Sequence, residues 1–156
     1  MNNKVPVIIF GDHLSAYGAI KSLRTYDIPM YIVSRTGKGL SVKSCFVKKV
    51  LQLDPNFVGF MDRLTNWFSK EVGTEAVLMV AGDDDFLDVL SKNNAELKRN
   101  MKTTFQDWKT VKLVREKRQT YKIAREIGIP TPNTYHITSL AELERILNSS
   151  EEKLRF

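Results

Sequence analysis

The sequence predicts an α/β protein, a doubly wound, mainly parallel sheet of about four strands with helices on both faces. Short apolar runs rich in β-branched residues, "VPVIIF" (5–10), "IPMYIVS" (28–34) and "EAVLMVAG" (75–82), read as strands buried on both faces. Between them apolar residues recur at helical spacing, so strand, helix and strand alternate, with right-handed crossovers.

Each element has its own reason. The first strand ends at Gly11 and Asp12. A helix over "SAYGAIKSLRTY" follows, with Ala16, Ala19, Ile20 and Leu23 on one face and Ser15 placed to cap its start. "RTGKGLSVKS" (35–44) reads as a loop and "CFVKKVLQL" (45–53) as a short strand. Asp54 and Pro55 open a second helix, whose face is Phe57, Phe60, Met61, Leu64 and Phe68. "DDDFLDVLSKN" (83–93) starts a helix behind three carboxylates, and residues 94–105 are too weakly patterned to receive an element. "DWKTVKLV" (107–114) and "EKRQTYKIAREI" (116–127) are short helices. In the second, Thr120, Ile123, Ala124 and Ile127 face inward and Gly128 is the stop. "TPNTYHI" is extended, as residues beside prolines prefer. "SLAELERIL" (139–147) is a last helix capped by Ser139, and the tail 148–156 is polar and without predicted structure.

At 156 residues and 42% apolar content the chain is one soluble domain, or one domain and the start of another. Cys45 is alone, which excludes an internal disulfide and fits a reduced compartment. No apolar run is long enough to span a membrane, and the apolar part of the N-terminus is too short for a signal peptide, so a cytoplasmic location is expected. The net charge of +6 is concentrated at Lys109, Lys112, Arg115, Lys117, Arg118, Lys122 and Arg125. No aromatic residues interleave these cations in a stacking pattern, which argues against nucleic acid and leaves an anionic small molecule. Lys112 with Glu116 and Lys122 with Glu126 are spaced to pair on a helix.

Three loops fall at strand carboxyl ends, where ligands sit in this architecture. "FGDHLSAYG" invites comparison with the dinucleotide fingerprint GxGxxG. Its second glycine would be His13 and its third Ala16, so a side chain stands where pyrophosphate must approach. The remaining readings are a tight turn, or a helix N-terminus at which Gly11, Asp12 and His13 meet an anionic substrate. "SRTGKG" puts Arg35 and Lys38 where a Rossmann-like dinucleotide domain has an acid for ribose. Cations there suit a carboxylate or phosphate, or form a solvated loop. In "AGDDD", Asp83, Asp84 and Asp85 are suited to capping the helix behind them, with magnesium or substrate binding as alternatives.

"REKRQTYKIAREIGIPTPNTY" (115–135) resembles the joint that closes the first domain of ATP-grasp enzymes. That joint has an acidic residue and a lysine, a helix, then Gly-Ile-Pro-x-Pro-x-Thr, here Glu116, Lys117 and Gly128 through Thr134. Upstream, "SVKSCFVKKV" and the acidic turn after the last strand resemble the branch similar to the carbamoyl phosphate synthase large chain and other carboxylate–amine ligases. The resemblance implies a first domain over 1–134 and the opening of a central ATP-grasp domain over 135–156. It implies ATP and Mg²⁺, a carboxylate activated as an acyl phosphate, and an amine that displaces phosphate. Lys117 would reach the nucleotide, with Arg118 as its neighbour. Gly11, Asp12, His13, Arg35, Asp83 and Asp84 would face the carboxylate and amine substrates. No catalytic or metal-binding residue is expected within the chain, because the magnesium ligands and a second ATP-gripping lysine belong to domains beyond it. The expected partners are those small molecules, with no nucleic acid, no membrane and room for a homodimer. A Rossmann-like dinucleotide- or small-molecule-binding module, part of an oxidoreductase, is the competing reading.

Overall fold

The computed structural model describes residues 4–73, 75–135 and 137–149. Five strands form one parallel sheet in the order β3-β2-β1-β4-β5, one strand more than the sequence predicts. They are β1 (Val7–Phe10), β2 (Met30–Ser34), β3 (Val47–Gln52), β4 (Val77–Val80) and β5 (Lys102–Thr103). The three apolar runs of the sequence lie adjacent at the centre. Val7 pairs with Met30 on one side and Val77 on the other.

Period-2 alternation divides the sheet's side chains between two cores. On one face Ile8, Phe10, Tyr31, Val33 and Leu78 pack against α2 (Phe60–Glu71) and α3 (Asp84–Lys92) through Phe60, Leu64, Phe68, Phe86 and Leu90. On the other, Val7, Ile9, Met30 and Ile32 pack against α1 (Leu14–Leu23) through Ala16 and Ile20. Ile8, Ile9, Ile32, Leu64 and Leu78 are fully buried. Each such side chain contributes about 1.5–3 kcal/mol relative to exposure.

Two helix starts differ from the sequence reading. His13, not Ser15, occupies the position before α1, and its side chain makes no cap. The second helix does not open at Pro55. The Asp54 carboxylate accepts from the Asn56 amide at 2.8 Å, Phe57 takes a left-handed φ of 59°, and Gly59 follows at 63°. Two left-handed residues in this turn keep the chain out of helix until Phe60. Phe57 is held there by ring contacts with Phe60 and Phe86.

The weakly patterned stretch 94–105 contains a short helix, α4 (Asn94–Leu97), and β5 at the sheet edge. α5 (Trp108–Arg115) packs beside α3. The chain folds as two compact units, Met1–Glu116 and Lys117–Phe156.

The second unit holds α6 (Lys117–Glu126) and α7 (Leu140–Ser149). Gly128, with φ 77°, donates to the Arg125 carbonyl at 3.1 Å, and Ile129 donates to the Ala124 carbonyl at 2.8 Å. That paired bonding around a left-handed glycine is the stop read from the sequence. The predicted inward face of α6 is not buried; Ile127 is 65% exposed. Ser139 Oγ accepts from the Glu142 amide at 3.2 Å, as its capping role requires. α7 runs on to Ser149, two residues beyond its predicted end, and the rest of the predicted tail, 150–156, lies outside the described residues, as does His136 of the predicted extended segment. Among the described residues no helix is long and apolar enough to cross a membrane.

Candidate functional site

The turns after β1, β2 and β4 meet at the carboxyl edge of the sheet, where the β2 turn engages Asp12 and the β4 turn lies against Gly11. Gly11 leaves β1 with a φ of 118°, a conformation open to glycine, and the chain then places Asp12 inside at 3% exposure. The Asp12 carboxylate accepts from Ser34 Oγ, from Thr36 Oγ1 at 2.6 Å and from the Thr36 amide at 3.3 Å. Ser34 Oγ in turn accepts from the Gly37 amide at 2.7 Å. A buried charge is tolerated when donors surround it, and here three donors come from the end of β2 and the loop after it. Gly39 lies so close to Asp12 that an added Cβ would stand 1.7 Å from the Asp12 carbonyl oxygen.

Burial by itself raises the Asp12 carboxyl. The hydrogen bonds from Ser34 and Thr36 outweigh it, helped by His13, and hold the group below its ordinary 3.8. A folded value below the unfolded one means that this contribution to stability is full above the unfolded pKa and lost as pH falls through the folded one. Replacing Asp12 by Asn should therefore destabilise the fold by about 1.5–3 kcal/mol near neutral pH. The gap to wild type should narrow on acidification below 3.8. Urea unfolding at both pH values measures it, and a gap independent of pH would show that the carboxylate is not held by these bonds.

His13 is 63% exposed, and its Nδ1 lies 3.6 Å from Asp12 Oδ1. Arg35 crosses from the β2 loop to the start of α3. Its guanidinium bonds Asp85 at 2.8 Å, approaches Asp83 at 3.4 Å, and stands 5.5 Å from the Phe57 ring centre and 5.7 Å from that of Phe86. Asp83 caps α3 by accepting from the Asp85 and Phe86 amides, each at 3.1 Å. Asp84 is exposed, with Arg115 Nε at 3.9 Å. The structure thus brings Gly11, Asp12, His13, Arg35, Asp83 and Asp84 to one edge. It engages Arg35 and Asp83 with each other, and leaves His13 and Asp84 the most accessible side chains among them.

The sequence did not single out Ser34, Thr36 or Gly39. Two hydroxyl residues flanking Arg35 at the end of a buried strand were the available sign. Nor did it single out the β5 side of the edge. A cleft of about 450 Å³ opens there, with Val80, Leu87 and Val111 on its apolar wall and Asp84, Gln106 and Thr110 as polar groups. Among the described residues no three His, Cys, Asp or Glu side chains converge on a metal position. The three acids at 83–85 are used for capping and for pairing with arginines.

Within the second unit, Lys117 and Arg118 open α6. Arg118, Lys122 and Arg125 share one helix face and line an open cleft of about 820 Å³ with Tyr121, Thr134 and Tyr135. Arg125 also donates to Thr131 Oγ1 at 3.0 Å and to the Pro132 carbonyl at 2.9 Å, fixing the proline segment against the helix it follows. Lys122 lies 3.9 Å from Glu126, the helical pair expected from their spacing. Lys117 does not line that cleft.

Two solved structures share the fold. One is the biotin carboxylase domain of a single-chain bacterial carboxylase, matched over 93% of this chain and 34% of that one, with a TM-score of 0.60 and 15% identity. The other is an L-amino acid ligase from Bacillus licheniformis, matched over 99% of this chain and 36% of that one, with a TM-score of 0.66 and 15% identity. At such identity the likeness is one of fold. The chain spans about a third of the length of either. No protein-family model matches the sequence. No curated protein matches it either.

Proposed function

We propose that the chain is the first domain of an ATP-grasp ligase of the carboxylate–amine type, similar to the carbamoyl phosphate synthase large chain, with residues 1–134 as that domain and 135–156 leading into the next. The observation that carries this is the joint. A basic helix opens on Lys117 and Arg118, stops at a left-handed Gly128, and is held against its proline segment by Arg125. The chain bearing this joint has a fold found in about a third of a ligase and of a carboxylase domain.

On this reading the full-length enzyme activates a carboxylate with ATP as an acyl phosphate and passes the acyl group to an amine. Cations at the start of α6 fit the phosphates of ATP, and Lys117 is the residue assigned to them, with Arg118 beside it. Magnesium is assigned, as the resemblance implies, to ligands in the domains that follow. The carboxyl-edge group Gly11, Asp12, His13, Arg35, Asp83 and Asp84 faces the substrates. The setting is cytoplasmic, and a homodimer is compatible with it. A dinucleotide module is the weaker alternative, since His13 holds the place of the fingerprint's second glycine and the backbone beside it is already covered by Gly39.

The test is phosphate release from ATP across a panel of amino and carboxylic acids. The isolated 156 residues should give none above background, and the full-length enzyme should give acid-dependent release. Robust turnover by the isolated chain would sink this division of labour.

A further inference from the structure

The Asp12–His13 pair is more specific than a substrate contact. Asp12 is buried, and its Oδ2 carries all three donors from Ser34 and Thr36. Its other oxygen, Oδ1, is the one that His13 Nδ1 approaches at 3.6 Å. That separation is longer than a formed hydrogen bond, as catalytic pairs often are before substrate binds. A carboxylate fixed by its neighbours and turned toward Nδ1 favours the tautomer with its proton on Nδ1. The lone pair is then on Nε2, the far side of an imidazole that is 63% exposed. The ring stands at the carboxyl edge of the sheet, the side on which this architecture receives ligands. Gly39 packs closely on the Asp12 backbone.

We infer that His13, oriented by Asp12, is the proton acceptor for the amine nucleophile of the ligation. The inference rests on the ligase reading above. As the amine nitrogen bonds to the acyl carbon, the bond from that carbon to the phosphate oxygen breaks. Phosphate leaves with the electron pair, and the proton released by nitrogen passes to Nε2 of His13. Asp12 is a positioning residue: it selects the tautomer and orients the ring that takes up the proton.

Two measurements test this. In the 156-residue chain, long-range nitrogen–proton correlation of the neutral His13 ring should show Nδ1 protonated and Nε2 bare. Asp12→Asn should abolish that preference. In the full-length enzyme, hydroxylamine and the best acceptor from a panel of the common L-amino acids are compared as nucleophiles toward the activated acid. Hydroxylamine is largely unprotonated near neutral pH and needs little help from a base. General-base assistance accounts for about a hundredfold or more in rate, so His13→Gln should lower the ratio of amide to hydroxamate by about that factor. Asp12→Asn should lower it in the same direction. Hydroxamate formation also reports that each variant is folded. A ratio unchanged in His13→Gln overturns the assignment while leaving the ligase reading intact. Absence of ATP-dependent hydroxamate from the wild-type enzyme fails the ligase reading itself, and the role of His13 with it.

Discussion

Gly39→Ala is expected to destabilise the fold by about 3 kcal/mol or more, the upper end for forced overpacking. An alanine Cβ would stand 1.7 Å from the Asp12 carbonyl oxygen and 2.5 Å from its carbonyl carbon. These are backbone atoms in a turn fixed by β1 and α1, so no rotamer change relieves the clash. The loop must lift, and the hydrogen bonds from Thr36 to Asp12 go with it. Gly18→Ala is the control. Nothing lies within 4 Å of its Cβ position, and it sits inside α1. Alanine there should stabilise by about 0.5–1 kcal/mol through helix propensity alone. Urea unfolding of both variants reads the difference. A Gly39→Ala midpoint equal to that of wild type would contradict the close approach of the two loops.

On the ligase reading proposed above, Lys117→Ala in the full-length enzyme should raise the KM for ATP and lower kcat. Losing one charge-assisted contact to phosphate costs about 1.5–3 kcal/mol, or about ten- to a hundredfold. Lys122→Ala should change little. Its partner Glu126 lies 3.9 Å away, both side chains are mostly exposed, and such pairs are worth about 0–1 kcal/mol. The contrast has content because Lys122 lies on the same cleft as Arg118 and Arg125, whereas Lys117 does not. Phosphates bound in that cleft, rather than at the first residue of α6, would reverse the order, with Lys122→Ala the damaging variant and Lys117→Ala the mild one. Steady-state kinetics with varied ATP on wild type and both variants separates these outcomes, and no change in either variant would leave the joint a structural feature only.

The parts of the fold legible in the sequence are those where local chemistry and tertiary burial agree. β1 and β2 are buried on both faces and β4 packs into both cores, so their runs are continuously apolar and plain to read. Gly128 stops α6 for a reason contained in one residue, its left-handed backbone. β5 is two residues long, both polar, at a sheet edge, too short for alternation to register. The late start of α2 depends on Phe57 in a left-handed conformation, with its ring packed against Phe60, Phe86 and Arg35. At the candidate site, the three loops could be placed at the carboxyl edge from strand order. What they do to one another could not. Arg35 and Asp83 read as two separate substrate contacts in the sequence, and in the fold they contact each other 48 positions apart. Asp12 gains its donors from residues 22 and 24 positions away, a separation that no local pattern encodes.

The most direct measurement follows one atom. The full-length enzyme is supplied with ATP, an amine panel and carboxylic acids, amino acids included, labelled with ¹⁸O in the carboxyl group. Activation as an acyl phosphate leaves one carboxyl oxygen on phosphorus when the amine displaces phosphate. Inorganic phosphate carrying one labelled oxygen per turnover is the expected result. Unlabelled phosphate, or no acid-dependent phosphate with any member of the panel, would contradict the assignment of this chain to an ATP-dependent carboxylate–amine ligase.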